Sequence, residues 1–301
     1  MSERIFVSII ISTYNNEDTL SGCIESILSQ NFRDFEIIIV NNGSTDTSAA
    51  VCDSYREKDP RVKVVHMEHE ASGAAYNNGL RAAAGRYVHF VEPLDNLEEN
   101  VLEKITSLLR QNLDVIFLDT SFYNSASFWD ISHNNILRRL SADMPDRLWD
   151  KLIRRDLLVR EDIWFTEGSI WEKVDFSIKL YLHAKAYTAI DYPFYKHNPK
   201  ENNHPPEEMF NMILLALAKW AGPAESTYEE HSQIIHTWMT SMFSGFLIPL
   251  YKQLPKEARK IYKTSLRDFL WLLDTRRDLQ ILKMLYILIG PLLTSHITAK
   301  L

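Results

Sequence analysis

The sequence predicts an α/β protein: a mostly parallel central sheet with helices on both faces, followed by an α-helical region. Three observations lead there. Over the first 120 residues, apolar β-branched runs alternate with segments of helical periodicity. The runs are continuous rather than alternating, as strands buried on both faces require. From Pro205 onward, the apolar spacing is helical throughout. Strand–helix–strand order within one sheet implies parallel strands with crossover helices.

Each element has its own warrant. Val7–Ser12 is a β-branched strand, and Leu20, Cys23, Ile24, Ile27 and Leu28 recur at helical spacing. Glu36–Val40 is a second strand, closed by Asn-Asn-Gly-Ser-Thr-Asp, a turn and helix-capping cluster. Val62–Val65 is a third strand, and Gly73–Ala84 is an Ala-rich helix stopped by Gly85. Tyr87–Val91 is a fourth strand, Leu97–Arg110 a helix and Val115–Leu118 a fifth strand. Residues 121–200 are less regular up to the helical stretch Val174–Ala184, and the Asn/Pro-rich stretch 198–206 reads as a linker. Phe210, Ile213, Leu214, Leu217 and Trp220 then form one stripe, and further helices are expected at 228–247, 256–274 and 278–297. The pattern gives two domains, residues 1–204 and 205–301.

Composition narrows the function. With 46 % hydrophobic and 24 % charged residues the chain is globular, not disordered or multi-spanning. The formal net charge is −7, which argues against a nucleic-acid partner. Residues 251–301 nevertheless carry ten Lys/Arg against four Asp/Glu. This basic amphipathic end suggests a helical bundle, association of two copies through it, or contact with an anionic membrane surface. The apolar run Ile281–Leu293 is broken by Lys283 and Gly290-Pro291, too short for a span. Cys23 and Cys52 read as small core residues of a reducing compartment. The N-terminus shows no signal-peptide pattern, so a cytoplasmic protein, peripheral at the inner face of the membrane, is expected.

In a parallel sheet, ligands bind beyond the C-terminal strand ends. Three polar clusters fall there: Ser12-Thr13-Tyr14-Asn15-Asn16, Asn41-Asn42-Gly43-Ser44-Thr45-Asp46, and Glu92-Pro93-Leu94-Asp95-Asn96. Any one alone is an ordinary turn. All three on one edge suggest a nucleotide or sugar site.

These stretches, with Ala74-Ala-Tyr-Asn-Asn-Gly-Leu, Ala84-Gly-Arg-Tyr-Val-His-Phe, Leu148-Trp-Asp-Lys-Leu-Ile-Arg-Arg and Thr166-Glu-Gly-Ser-Ile-Trp-Glu-Lys-Val-Asp-Phe, closely resemble family 2 glycosyltransferases. The resemblance covers about the first two thirds of the chain. It implies the GT-A fold, a Rossmann-like nucleotide-sugar-binding domain. It also implies sugar transfer, with inversion, from a nucleotide-diphosphate sugar (in most cases a UDP-sugar) to a glycan or lipid-linked glycan acceptor. Capsule or lipopolysaccharide synthesis is the usual setting. By the same resemblance Thr13, Tyr14 and Asn15 hold the nucleoside, with Tyr14 beside the base. Asn42 replaces an Asp that meets the uracil edge, Ser44 lies in the same loop, and Asn77 shapes the donor pocket.

Two positions depart from the family. Its metal motif, usually Asp-Ser-Asp-Asp, aligns with Glu92, Pro93, Leu94 and Asp95. Leu94 has no oxygen to offer a divalent cation such as Mn²⁺ or Mg²⁺. Glu92 and Asp95 are then either metal and donor ligands or helix-capping acids. The family's base, the Asp of a Glu-Asp pair, aligns with Lys173. Inverting transfer needs a carboxylate to accept the acceptor proton, and Glu172, then Asp175, are the substitutes expected here. Lys173 can instead supply positive charge near the diphosphate, with Lys151 and Arg154 as further cations. Trp171 and Lys173 are the expected acceptor contacts, Trp149 reads as structural, and His197 and His204 as loop contacts. A member that has lost catalysis and serves as a binding or scaffold subunit of a glycan-assembly complex is the alternative.

Overall fold

The computed structural model describes residues 5–118, 147–168, 172–190, 193–196 and 247–268, together with Phe210 and Met239. The chain divides into two compact units. One is Met1–Asn135 with Pro145–Glu201, and the other is Ile136–Met144 with Asn202–Leu301.

The first unit is built on a seven-stranded sheet. Its strands are β1 (Val7–Thr13), β2 (Phe35–Asn42), β3 (Val62–Met67), β4 (Tyr87–Val91), β6 (Val115–Phe117), β7 (Lys151–Arg154) and β8 (Tyr187–Ala189), in the order β3-β2-β1-β4-β7-β6-β8. β3, β2, β1 and β4 run parallel, with Ile9 opposite both Ile37 and His89. β7 is inserted antiparallel between β4 and β6. A two-stranded sheet joins β5 (Asn96–Leu97) to β9 (Tyr195–Lys196). The parallel part buries Ile9, Ile10, Ile11, Ile37, Ile38 and Ile39 completely, which is why those runs lack alternation.

Helices α1 (Leu20–Leu28), α2 (Ser48–Lys58) and α3 (Ser72–Ala82) connect the parallel strands. α1 packs Leu20, Cys23, Ile24 and Ile27 onto the core formed with β1 and β2. α3 approaches the opposite face so closely that a Cβ on Gly79 would lie 2.4 Å from Ile10 Cγ2. At the start of β4, Gly85 donates its N–H to Ser8 Oγ (2.8 Å), and a Cβ there would sit 2.5 Å from the Ser8 nitrogen. Both positions therefore exclude larger residues.

The helix expected at Leu97–Arg110 is replaced by β5 and two single turns, α4 (Val101–Lys104) and α5 (Thr106–Leu109). Leu97 pairs with Tyr195 instead, and Asn100 takes a left-handed φ of 57°. Within 121–200 the sequence conceals β7, because Lys151 and Arg154 punctuate it. Lys151 is fully buried, pairing with Asp150 at 2.5 Å and donating to the Arg147 carbonyl. Arg154 pairs with Asp114 and donates to Asn112 Oδ1 (2.6 Å). α6 (Arg155–Arg160), β8 and β9 are too short to show a pattern in the sequence, and α7 spans Glu172–His183, two residues earlier than the apolar pattern indicates.

The second unit shows α8 (Ile248–Gln253), with Pro249 in its first turn, and α9 (Lys256–Asp268) beyond Pro255. Phe210 packs on Tyr251 and Tyr262 at centroid distances of 6.1 and 4.8 Å. Among the described residues no helix is long and apolar enough to cross a membrane. The expected helix at 278–297 lies outside the described residues, as does most of 228–247.

Candidate functional site at the sheet edge

The parallel strands bring the ends of β1, β2 and β4 to one edge, and two groups of side chains assemble there. The first joins the loops after β1 and β2. Asn15, at φ 54°, turns its side-chain oxygen to the N–H groups of Thr45 (2.8 Å) and Asp46 (3.4 Å). In return, Ser44 Oγ accepts the Asn15 N–H (3.2 Å), and Asp46 Oδ2 accepts that of Glu17 (3.2 Å). Glu17 Oε2 accepts both the N–H and the hydroxyl of Thr47, which lowers its carboxyl pKa. Thr13 donates to Asn16 Oδ1 (3.1 Å). The polar residues of the two loops thus satisfy one another, and Tyr14 is left projecting, 42 % exposed.

Tyr14 stacks on His69, with centroids 4.0 Å apart and planes at 29°. Asn42 fixes the segment carrying that histidine: its Nδ2 donates to the Glu70 carbonyl and its Oδ1 accepts the Glu70 N–H, both at 2.9 Å. His69 Nδ1 lies 3.0 Å from the Asn42 carbonyl. Gly43, at φ 71°, permits this approach, since a Cβ would stand 2.5 Å from the His69 nitrogen. An amide has two N–H donors, and Asn42 uses one of them to brace the loop. His69 is not legible in the sequence. It sits in an irregular polar stretch with no periodicity, and only the Asn42–Glu70 pairing brings it under Tyr14.

The second group lies at the end of β4. Lys173 Nζ, on α7, is 2.8 Å from Glu92 Oε1, and the two side chains are 29 % and 34 % exposed. The Tyr76 hydroxyl lies 3.5 Å from the same oxygen, and the ammonium stands 5.6 Å from the centre of the Tyr76 ring. Burial, with Glu92 nearby, raises the Tyr76 pKa, so the phenol stays protonated. A partly exposed pair of this kind contributes about 1 kcal/mol or less. A more highly charged ligand can therefore rearrange it.

Glu172, one residue before Lys173, faces elsewhere. It accepts the Gly73 N–H (2.7 Å) and the Ser72 hydroxyl at the first turn of α3. Burial raises its pKa, and these two bonds oppose the rise. A carboxylate at a helix N-terminus satisfies otherwise orphaned N–H groups. A Cβ on Gly73 would lie 2.8 Å from Glu172 Oε2, so the contact also requires glycine there. Asp175 is 1 % exposed, pairs with Lys179 at 2.8 Å and accepts from the Thr166 hydroxyl. Asn77 spends its amide on the backbone of Phe165, as donor and acceptor (3.0 Å each), and on Glu167 (2.9 Å). Asn77 and Asp175 therefore secure residues 165–167 ahead of α7.

Asp95 is 6 % exposed and donates its N–H to the Glu92 carbonyl (3.0 Å), closing the turn that holds Pro93 and Leu94. This donor set lacks one of the oxygens that the family motif offers a hard dication. Leu94 offers no oxygen, the Glu92 carboxylate faces an ammonium, and among the described residues no three His, Cys, Asp or Glu side chains converge to hold a metal ion. Lys151 and Arg154, engaged with Asp150 and Asp114, are held away from this corner by those pairs. Trp149 packs edge-on to Tyr195 at 5.5 Å, against the core. Trp171, His197 and His204 lie outside the described residues.

Known proteins share the fold that carries these groups. The sequence profile of glycosyl transferase family 2 matches residues 8–165. The uncharacterized glycosyltransferase EpsJ of Bacillus subtilis is 29 % identical over 217 residues, 65 % of this chain and 62 % of EpsJ. The uncharacterized glycosyltransferase YibD of Escherichia coli is 30 % identical over 64 % of this chain and 62 % of its own. The match thus spans about three fifths of the length of these relatives. Among solved structures, S. aureus TarS 1–349 in complex with UDP-GlcNAc superposes with a TM-score of 0.74 at 21 % identity, covering 98 % of this chain and 90 % of that one. A mannosyltransferase of Pyrobaculum calidifontis in complex with GDP-Man and Mn²⁺ gives 0.59 at 14 % identity, covering 98 % and 86 %. The fold is that of these GT-A enzymes, and on the profile match to over half its length this chain belongs to glycosyl transferase family 2.

Proposed function

We propose that the chain transfers a sugar from a nucleotide-diphosphate sugar, a UDP-sugar in the first instance, to a hydroxyl of a glycan acceptor, with inversion at the anomeric carbon. The observation that carries this reading is the interlocked β1–β2 edge, which presents Tyr14 on His69, while the neighbouring strand β4 ends at the Glu92–Lys173 corner. A base stacks on the exposed tyrosine face, as bases do on aromatic rings. The second N–H of Asn42 meets its polar edge, and the diphosphate then extends toward Lys173. The family assignment supports a sugar-transfer site, and the TarS complexes with UDP-GlcNAc and UDP support this class of donor. Growth of a cell-surface glycan such as capsule or lipopolysaccharide, at the inner face of the membrane, is the setting we propose with it, in keeping with the basic C-terminal end.

Incubation with UDP-GlcNAc, UDP-Glc and UDP-Gal, with and without crude glycan acceptors, tests the proposal. Release of UDP above the buffer rate supports it, and product formed with inverted anomeric configuration by NMR completes it. The substitutions at Leu94 and Lys173 favour a second reading, a non-catalytic binding subunit. Nucleotide binding without any turnover selects that reading. Flotation with anionic vesicles and light scattering test membrane contact and pairing of copies.

A further inference from the structure

The corner at the end of β4 holds one carboxylate and one cation 2.8 Å apart, both about a third exposed and both at the open edge of the sheet. Of the other acids near it, Asp95 is only 6 % exposed, and two more are committed elsewhere. Glu172 is bound to the first turn of α3, and Asp175 to Lys179 and Thr166. The turn between Glu92 and Asp95 offers Leu94, half-buried, rather than an oxygen donor. A sugar transfer needs positive charge where the departing diphosphate gains its electrons, and a base where the acceptor hydroxyl loses its proton.

Building on the sugar-transfer function proposed above, we propose that Lys173 and Glu92 meet these two needs: the Lys173 ammonium takes the place of a divalent cation at the diphosphate, and the Glu92 carboxylate is the base. On donor binding, the ammonium turns from Glu92 toward the phosphate oxygens, its stem sliding over the Tyr76 ring. The acceptor oxygen then forms its bond to the anomeric carbon. The bond from that carbon to the diphosphate oxygen breaks, its electron pair leaving with the nucleoside diphosphate. The acceptor proton passes to Glu92. Lys173 remains protonated throughout, so the charge that develops on the departing phosphate meets a fixed cation. Tyr76, protonated and 3.5 Å from Glu92 Oε1, orients the carboxylate.

Calorimetry with UDP on the full chain tests this, in EDTA and again in Mn²⁺. The expected result is binding in EDTA that Mn²⁺ leaves within about threefold. Lys173→Gln weakens UDP binding about tenfold or more, and Lys173→Arg keeps it, because either cation can meet a phosphate. Glu92→Gln removes the partner competing for Lys173, so UDP binds as tightly or more tightly while turnover is lost. Thermal melting confirms that each variant is folded. Binding that requires Mn²⁺, or a Glu92→Gln variant that loses UDP binding together with turnover, overturns the assignment and leaves the sugar-transfer function intact. If UDP does not bind under either condition, the UDP-sugar donor of the proposed function fails instead.

Discussion

The two groups at the sheet edge are built on opposite plans. Around β1 and β2, side chains meet backbone groups of the neighbouring loop in a closed lattice, and what is left over is an aromatic face. At the β4–α7 corner, side chain meets side chain, and the pair is open to solvent. A lattice of neutral and charge-assisted bonds to backbone holds one geometry whether or not a ligand is present. A half-exposed ion pair is weak enough to be exchanged for another partner. On the function proposed above, recognition is placed where the backbone is locked, and chemistry where a charge can move.

The strongest way to break this contrast is at the corner. Glu92→Gln is expected to lower turnover by about two orders of magnitude or more, the usual contribution of a general base, while UDP affinity holds. Comparable loss in Glu172→Gln, with Glu92→Gln unaffected, would return the base to α7. Next in size is a pH effect in the core beneath. His89 is fully buried, Nδ1 facing the Lys151 carbonyl at 3.0 Å and Nε2 accepting from the Tyr195 hydroxyl. Burial pushes its pKa down to about 4. The folded chain therefore refuses a proton that the unfolded chain takes up below about pH 6.5. Stability falls as pH drops from about 6.5 to 4, by about 3 kcal/mol in total. Urea unfolding across that range measures it, and His89→Asn should flatten the slope.

Glu172→Ala follows. Removing a buried acceptor from Ser72 and Gly73 is expected to cost about 2 kcal/mol of stability, visible as a lowered melting temperature. A loss of activity without a loss of stability would mean that this carboxylate acts on substrate. The smallest effect belongs to the locked edge. Tyr14→Ala removes one stacking face and should weaken UDP binding by about 1 kcal/mol, several-fold. Tyr14→Phe should leave it unchanged, and calorimetry separates the two. If Tyr14→Ala had no effect, the edge would not be the nucleoside site.

Sequence alone determined the frame of this protein. Continuous β-branched runs specify buried parallel strands, because only strands covered on both faces need apolar residues at every position. Asn15, Asn42, Gly43 and Ser44 were legible as an edge cluster, since turn chemistry is local. The antiparallel β7 was not, because its charged ends are silenced by Asp150 and Asp114, and Asp114 lies far off in the chain. Nor could sequence tell where Glu172 and Glu92 find their partners. Both are acids at element ends. Only the tertiary structure turned Glu172 onto the first turn of α3 and brought Lys173 across to Glu92, 81 residues away in sequence. Strands and turns follow from neighbours along the chain, whereas the partner of a charge is decided by which elements pack together.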